Sequence, residues 1–82
     1  MAVYLVDRNL PGVTMEQLAA AQKAAIEISP QFGAEYIRST FIPQDERCMC
    51  LFAAPNPEVV RQVNEAAGIP FTRIVEALDL TP

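Results

Sequence analysis

The sequence predicts an α+β domain whose elements run β-α-β-β-α-β, with four antiparallel strands in one sheet and both helices on one side of it. Three observations carry this. Two helical segments each open on a recognisable cap. A pair of alternating β-type runs between them is joined by a four-residue charged turn, Pro43-Gln44-Asp45-Glu46. A β-type run also precedes the first helix and another follows the second, so the order leaves few other architectures.

The first run is Val3-Tyr4-Leu5-Val6, closed by the polar Asp7-Arg8-Asn9 and turned at Leu10-Pro11-Gly12. Thr14, with Gln17 three residues on, forms a capping box for a helix over about Met15 to Ile28. Leu18, Ala21, Ala25 and Ile28 make its apolar stripe, and Ser29-Pro30 ends it. The second strand covers about Glu35 to Ile42 and the third Arg47 to Ala54. An antiparallel hairpin closed by the charged turn sets Phe41 opposite Cys48, Ser39 opposite Cys50 and Ile37 opposite Phe52. Tyr36, Arg38, Thr40, Ile42, Met49 and Leu51 then share the other face. Asn56 caps the second helix with Pro57 at its first position. Val59, Val60, Val63 and Ala67 point inward, and Gly68 with Pro70 stops it. The last strand runs from about Thr72 to Leu80, with Thr72, Ile74, Glu76, Leu78 and Leu80 on one side.

This is the ferredoxin-like arrangement, and residues 1–82 form a single such domain. Both faces of the hairpin are substantially apolar, yet two helices cover only one face of a four-stranded sheet. With 51% hydrophobic residues in so short a chain, the second face is expected to pack against another copy of itself, giving a dimeric α+β barrel.

Composition excludes several functions. A net charge of -4 argues against a nucleic-acid partner, which would need a basic face. No apolar stretch approaches the roughly 20 residues that span a bilayer. Met1 to Val6 lacks the basic and apolar pattern of a secretory leader, so no membrane is involved and a cytoplasmic location is expected. With no histidine there is no imidazole for a Ser-His or Cys-His nucleophile pair, nor for a zinc, nickel or non-haem iron site. The three glycines are scattered and form no phosphate loop.

Few polar groups remain as candidates. Cys48 and Cys50, one residue apart on a strand, point to one face, and a bond between them would strain the backbone. Free thiols in a reducing compartment follow. Such a pair can chelate a soft metal, although a four-sulfur site would need a second subunit. The alternative is that both pack beneath a helix as small hydrophobes. Asp7 and Glu76 fall on neighbouring strands. Arg38 and Tyr36 share a face in the expected register. A carboxylate, a guanidinium and a phenol around an apolar cavity can anchor a small polar ligand. Arg38 and Glu76 are expected in one cavity on the face away from the helices, since a charge among apolar neighbours needs a partner or a solvated cavity.

Tyr4-Leu5-Val6-Asp7-Arg8-Asn9-Leu10-Pro11-Gly12 resembles the opening of small bacterial ferredoxin-like domains often described as nickel-binding proteins. The likeness continues through Ile37-Arg38-Ser39, Cys50-Leu51-Phe52-Ala53-Ala54-Pro55, Glu58-Val59-Val60-Arg61, Ala67-Gly68-Ile69-Pro70 and Arg73-Ile74-Val75-Glu76. The resemblance implies a dimer whose sheets pack into a barrel. Ser39, Cys50 and Glu76 match the family directly and Asp7 keeps the acidic character of its glutamate, so Ser39 and Cys50 join Asp7, Tyr36, Arg38 and Glu76 as ligand-binding candidates. Relatives carry histidine where this chain has Arg38 and Val63, so a divalent metal such as nickel would be held weakly at best. The expected function is a non-catalytic homodimer that binds a small ligand or, weakly, a divalent ion, with no assigned catalytic residue. The alternatives are two. One is a cofactor-free isomerase, cyclase or oxygenase, with Arg38 stabilising negative charge and Glu76 or Asp7 as base. The other is a structural or regulatory interaction module.

Overall fold

The computed structural model describes residues 1–82. Its elements are β1 (Ala2–Asn9), α1 (Met15–Ile28), a 3-10 turn (Ser29–Phe32), β2 (Glu35–Ile42), β3 (Arg47–Ala54), α2 (Pro57–Ala67) and β4 (Arg73–Ala77). The four strands form one antiparallel sheet in the order β2-β3-β1-β4. This is the expected ferredoxin-like α+β arrangement, with both helices on one face of the sheet.

The local signals act as their chemistry requires. The Thr14 hydroxyl accepts from the Gln17 amide at 3.1 Å while the Gln17 side chain accepts from the Thr14 amide at 2.9 Å, closing the capping box. Asn56 accepts from the Val59 amide at 3.0 Å, with Pro57 beginning α2. Gly68 ends α2 at φ 69°, in the left-handed region where a side chain is strained. α1 does not stop cleanly at Ser29-Pro30. The Ser29 hydroxyl donates to the Ala25 carbonyl at 2.6 Å and the chain tightens into a 3-10 turn before Gly33.

The core lies between the helices and the inner sheet face. Val6, Phe52, Ala54, Val60 and Val63 are completely buried there. Each of the larger side chains contributes about 1.5–3 kcal/mol by leaving water.

Three expectations are corrected. β1 does not close at Val6 but continues to Asn9, which carries Asp7 and Arg8 into the sheet, where both are buried. β2 has a bulge: Tyr36, not Ile37, pairs with Phe52, and Arg38 then pairs with Leu51. The extra residue, Ile37, is left partly exposed. Tyr36 therefore lies on the helix side, its ring edge-on to Phe52 at 5.6 Å, and not on the Arg38 face. Finally, β4 ends at Ala77 and not near Leu80. Val3 pairs with Ala77 and β1 begins at Ala2, so no partner strand remains for Asp79 or Leu80. Leu78 and Leu80 are exposed, and Arg38 meets Asp79 at 3.9 Å. Because β2 and β4 are opposite edges, this contact carries the C-terminal segment across the outer face of the sheet.

Candidate functional site

Two polar constellations form, one on each face of the sheet. Directly paired residues in an antiparallel sheet project to the same face. Tyr4 pairs with both Phe52 and Glu76, so Glu76 projects to the helix side, on the exposed edge strand. Arg38 pairs with Leu51 and lies on the outer face. Arg38 and Glu76 thus share no cavity, contrary to the expectation. Glu76 follows Ile74 at strand spacing, and Ile74 pairs with the buried Val6 and packs on the core, which fixes that side of β4 as the inner one. Arg38 remains solvated beside Asp79.

On the outer face Asp7 accepts from Arg47 at 2.7 Å and lies 3.5 Å from Arg73, both distances to one oxygen, Oδ2. The Arg47 hydrogen bond holds the Asp7 carboxyl below its ordinary pKa against the opposing effect of burial, and the charge of Arg73 adds to this. The second oxygen, Oδ1, is buried without a hydrogen-bond partner. Around this group Leu5, Met49, Leu51 and Val75 form an apolar, half-buried surface with no helix over it.

The inner face holds a cavity of about 200 Å³ between α1 and the sheet. Leu18, Ala21 and Ala25 of α1 form its roof, and Phe41, Cys48 and Cys50 part of its floor. Eleven of its fourteen lining residues are hydrophobic, and no acidic side chain is among them. A connected line of polar groups crosses it. Gln22 donates to the Tyr36 hydroxyl at 3.0 Å. The Tyr36 and Ser39 hydroxyls are 2.6 Å apart, and Ser39 donates to the Cys50 sulfur at 2.9 Å. Since Gln22 supplies the proton at one end and sulfur accepts at the other, Tyr36 donates to Ser39 and every bond points towards Cys50. Three expected ligand-binding residues, Tyr36, Ser39 and Cys50, are therefore brought together here, while Asp7, Arg38 and Glu76 are not.

Arg8 completes the inner site. It is 2% exposed, has no carboxylate within ion-pair distance, and lines the cavity. Its Nε donates to the Cys50 sulfur at 3.4 Å, and its terminal nitrogens donate to the Pro70 carbonyl and to Asn64 Oδ1. Asn64 is itself buried on α2 and oriented by donating to the Val60 carbonyl at 2.8 Å. Arg8 and Asn64 were missed in the sequence. Position 8 alternates with Val6 and Tyr4, which is the signal that an inward strand position would leave. Cys48 and Cys50 are free and buried, with sulfurs 3.9 Å apart. Burial first, and the neighbouring Cys50 second, push the Cys48 thiol up to about 11.

The model of the SCO4226-like family, nickel responsive proteins, matches residues 4–77, and the chain belongs to that family. The crystal structure of SCO4226 from Streptomyces coelicolor A3(2) superposes with a TM-score of 0.88 at 23% identity, over 98% of this chain and 100% of that one. At that identity the likeness is one of fold. No curated protein sequence matches the chain. No helix is long and apolar enough to cross a membrane.

The donors present do not suit nickel. No three Cys, Asp, Glu or His side chains cluster anywhere in the fold. Asp7, the most buried carboxylate, is flanked by two guanidinium groups that repel a cation. Nickel also favours imidazole, which the chain lacks.

Proposed function

We propose that this protein is a non-catalytic homodimer that holds a small, largely apolar ligand with one hydrogen-bond-accepting end in the cavity between α1 and the sheet. The observation that carries the reading is the polar line from Gln22 to Arg8 across an otherwise apolar cavity. Arg8 has five N–H donors and three are used within the chain, which leaves two for a ligand acceptor. Non-catalytic binding is favoured over general-base chemistry because no carboxylate lines the cavity. Dimerisation is supported by Leu5, Met49, Leu51 and Val75, half-buried apolar residues on the outer face of the sheet that no helix covers. Two reduced, buried thiols are compatible with the cytoplasm.

The test is a heteronuclear NMR titration with benzoate and benzyl alcohol as probes. Saturable shifts are expected at the amides of Leu18, Ala25, Ser39 and Cys50, and should disappear in Ala25→Phe, which fills the cavity. Shifts confined to the outer face, or none with either probe, contradict the assignment of the cavity.

A further inference from the structure

The thiol floor of the cavity has chemistry of its own. Two sulfurs bound to one ion at about 2.3 Å each lie no more than about 4.6 Å apart. The Cys48 and Cys50 sulfurs are 3.9 Å apart on one face of β3, so rotation of the two side chains, with no change of strand register, opens them to the near-linear spacing of a two-coordinate ion. Both residues are buried, at 3% and 6% exposure, so the donors are shielded from bulk water on the sheet side and open only to the cavity.

Charge selects the ion. Two thiolates carry two negative charges. The Arg8 guanidinium, 3.4 Å from the Cys50 sulfur and without a carboxylate, carries one positive charge. A monovalent cation brings the buried group to neutrality. A divalent cation leaves a net positive charge in a site with little water, where an unbalanced charge is costly. Ligand number points the same way. Zinc requires four donors, and neither histidine nor a third cysteine or carboxylate is near. Soft thiolates and low coordination suit a d10 monovalent ion, of which Cu(I) is the biological case.

We propose that Cys48 and Cys50 form a two-coordinate site for a soft monovalent metal ion of the Cu(I) type, with Arg8 as its built-in counter-charge and Ser39 as a hydrogen-bond donor to the Cys50 thiolate. On binding, both S–H bonds break, two protons pass to solvent, and two metal–sulfur bonds form. The ion enters and stays at +1, so no oxidant or reductant takes part. The Arg8 and Ser39 donors occupy the sulfur from outside the coordination sphere, the place where such hydrogen bonds orient a ligand and tune its basicity. The proposal shares the cavity of the functional reading but does not depend on an organic ligand.

Anaerobic titration of the reduced, full-length protein with Cu(I), presented by a competing chelator, is the test. One ion per chain is expected, with release of two protons and a near-ultraviolet thiolate-to-copper absorption. Cys48→Ser and Cys50→Ser should each abolish the site. Arg8→Gln should weaken binding by about 10–100-fold, and Arg8→Lys, which keeps the charge if Arg8→Gln does not fold, should stay within about tenfold of the parent. The proposal is overturned by no competition for Cu(I), by undiminished binding in Cys50→Ser, by one ion shared between two chains, or by Zn(II) bound as tightly as Cu(I). The two readings fail separately: benzoate shifts in the metal-free parent protein test the ligand cavity alone, and the Cu(I) titration in the absence of benzoate tests this inference alone.

Discussion

Asp7 is where residue chemistry most directly sets a measurable property. Arg47 and Arg73 converge on one of its oxygens, and its carboxyl consequently loses its proton more readily when folded than the ordinary value of 3.8. The unfolded chain binds that proton more strongly, so the stabilisation is fully present above about pH 3.8 and is lost as pH falls through the lower folded value. Asp7→Asn should lower stability at pH 7 by about 1–2 kcal/mol: a hydrogen bond to a charged group contributes about 1.5–3 kcal/mol, reduced here by solvent screening of the part-exposed Arg47 and Arg73. In urea melts the gap between variant and parent should close below pH 3.8. A gap that stays constant with pH would mean that the carboxylate charge is not what Arg47 and Arg73 stabilise. Arg8 shows what sequence cannot display at this scale. Within Asp7-Arg8-Asn9 it reads as the polar close of a strand. Its burial depends on Asn64 and Pro70, 56 and 62 residues away, whose carbonyl oxygens accept from its guanidinium. Local pattern holds no trace of such partners, although strand alternation from Tyr4 and Val6 would have aimed it inward.

Helix boundaries were legible at the scale of elements because capping is local. Thr14 with Gln17, Asn56 with Pro57, and Gly68 each satisfy orphan amides or carbonyls within a few residues. Asn56→Ala should therefore lower stability by about 1 kcal/mol while leaving the sheet unchanged, as read by thermal denaturation and far-ultraviolet circular dichroism. The hairpin register was also legible from Ile42 back to Ser39, because turn length sets it. It failed beyond Arg38 because the bulge at Ile37 is not written in residue type, and one added residue reverses every later side chain. That single step moved Tyr36 from the outer face to the cavity, where it joins Ser39 and Cys50. The grouping of Arg38 with Glu76 failed for a different reason. Alternation says which residues share a side, but only the pairing of Glu76 with Tyr4 says which side that is.

For the whole molecule, the two faces of the sheet differ: the inner face encloses the cavity, and the proposed dimer would use the outer face, which no helix covers. Family membership brings nickel into view, but the donor set does not suit it. Calorimetric titration of untagged protein should find no nickel site tighter than roughly 10 micromolar. A stoichiometric submicromolar site would show that carboxylates from two chains assemble in a way a single chain does not display. Leu51→Lys, placed in the centre of the outer face, should separate the subunits without unfolding them, since Leu51 contributes little to the inner core. The most direct measurement is native mass spectrometry of the untagged parent and Leu51→Lys proteins at low micromolar concentration. The account predicts twice the 9.0 kDa chain mass for the parent and 9.0 kDa for the variant. A parent protein found only at 9.0 kDa would contradict it.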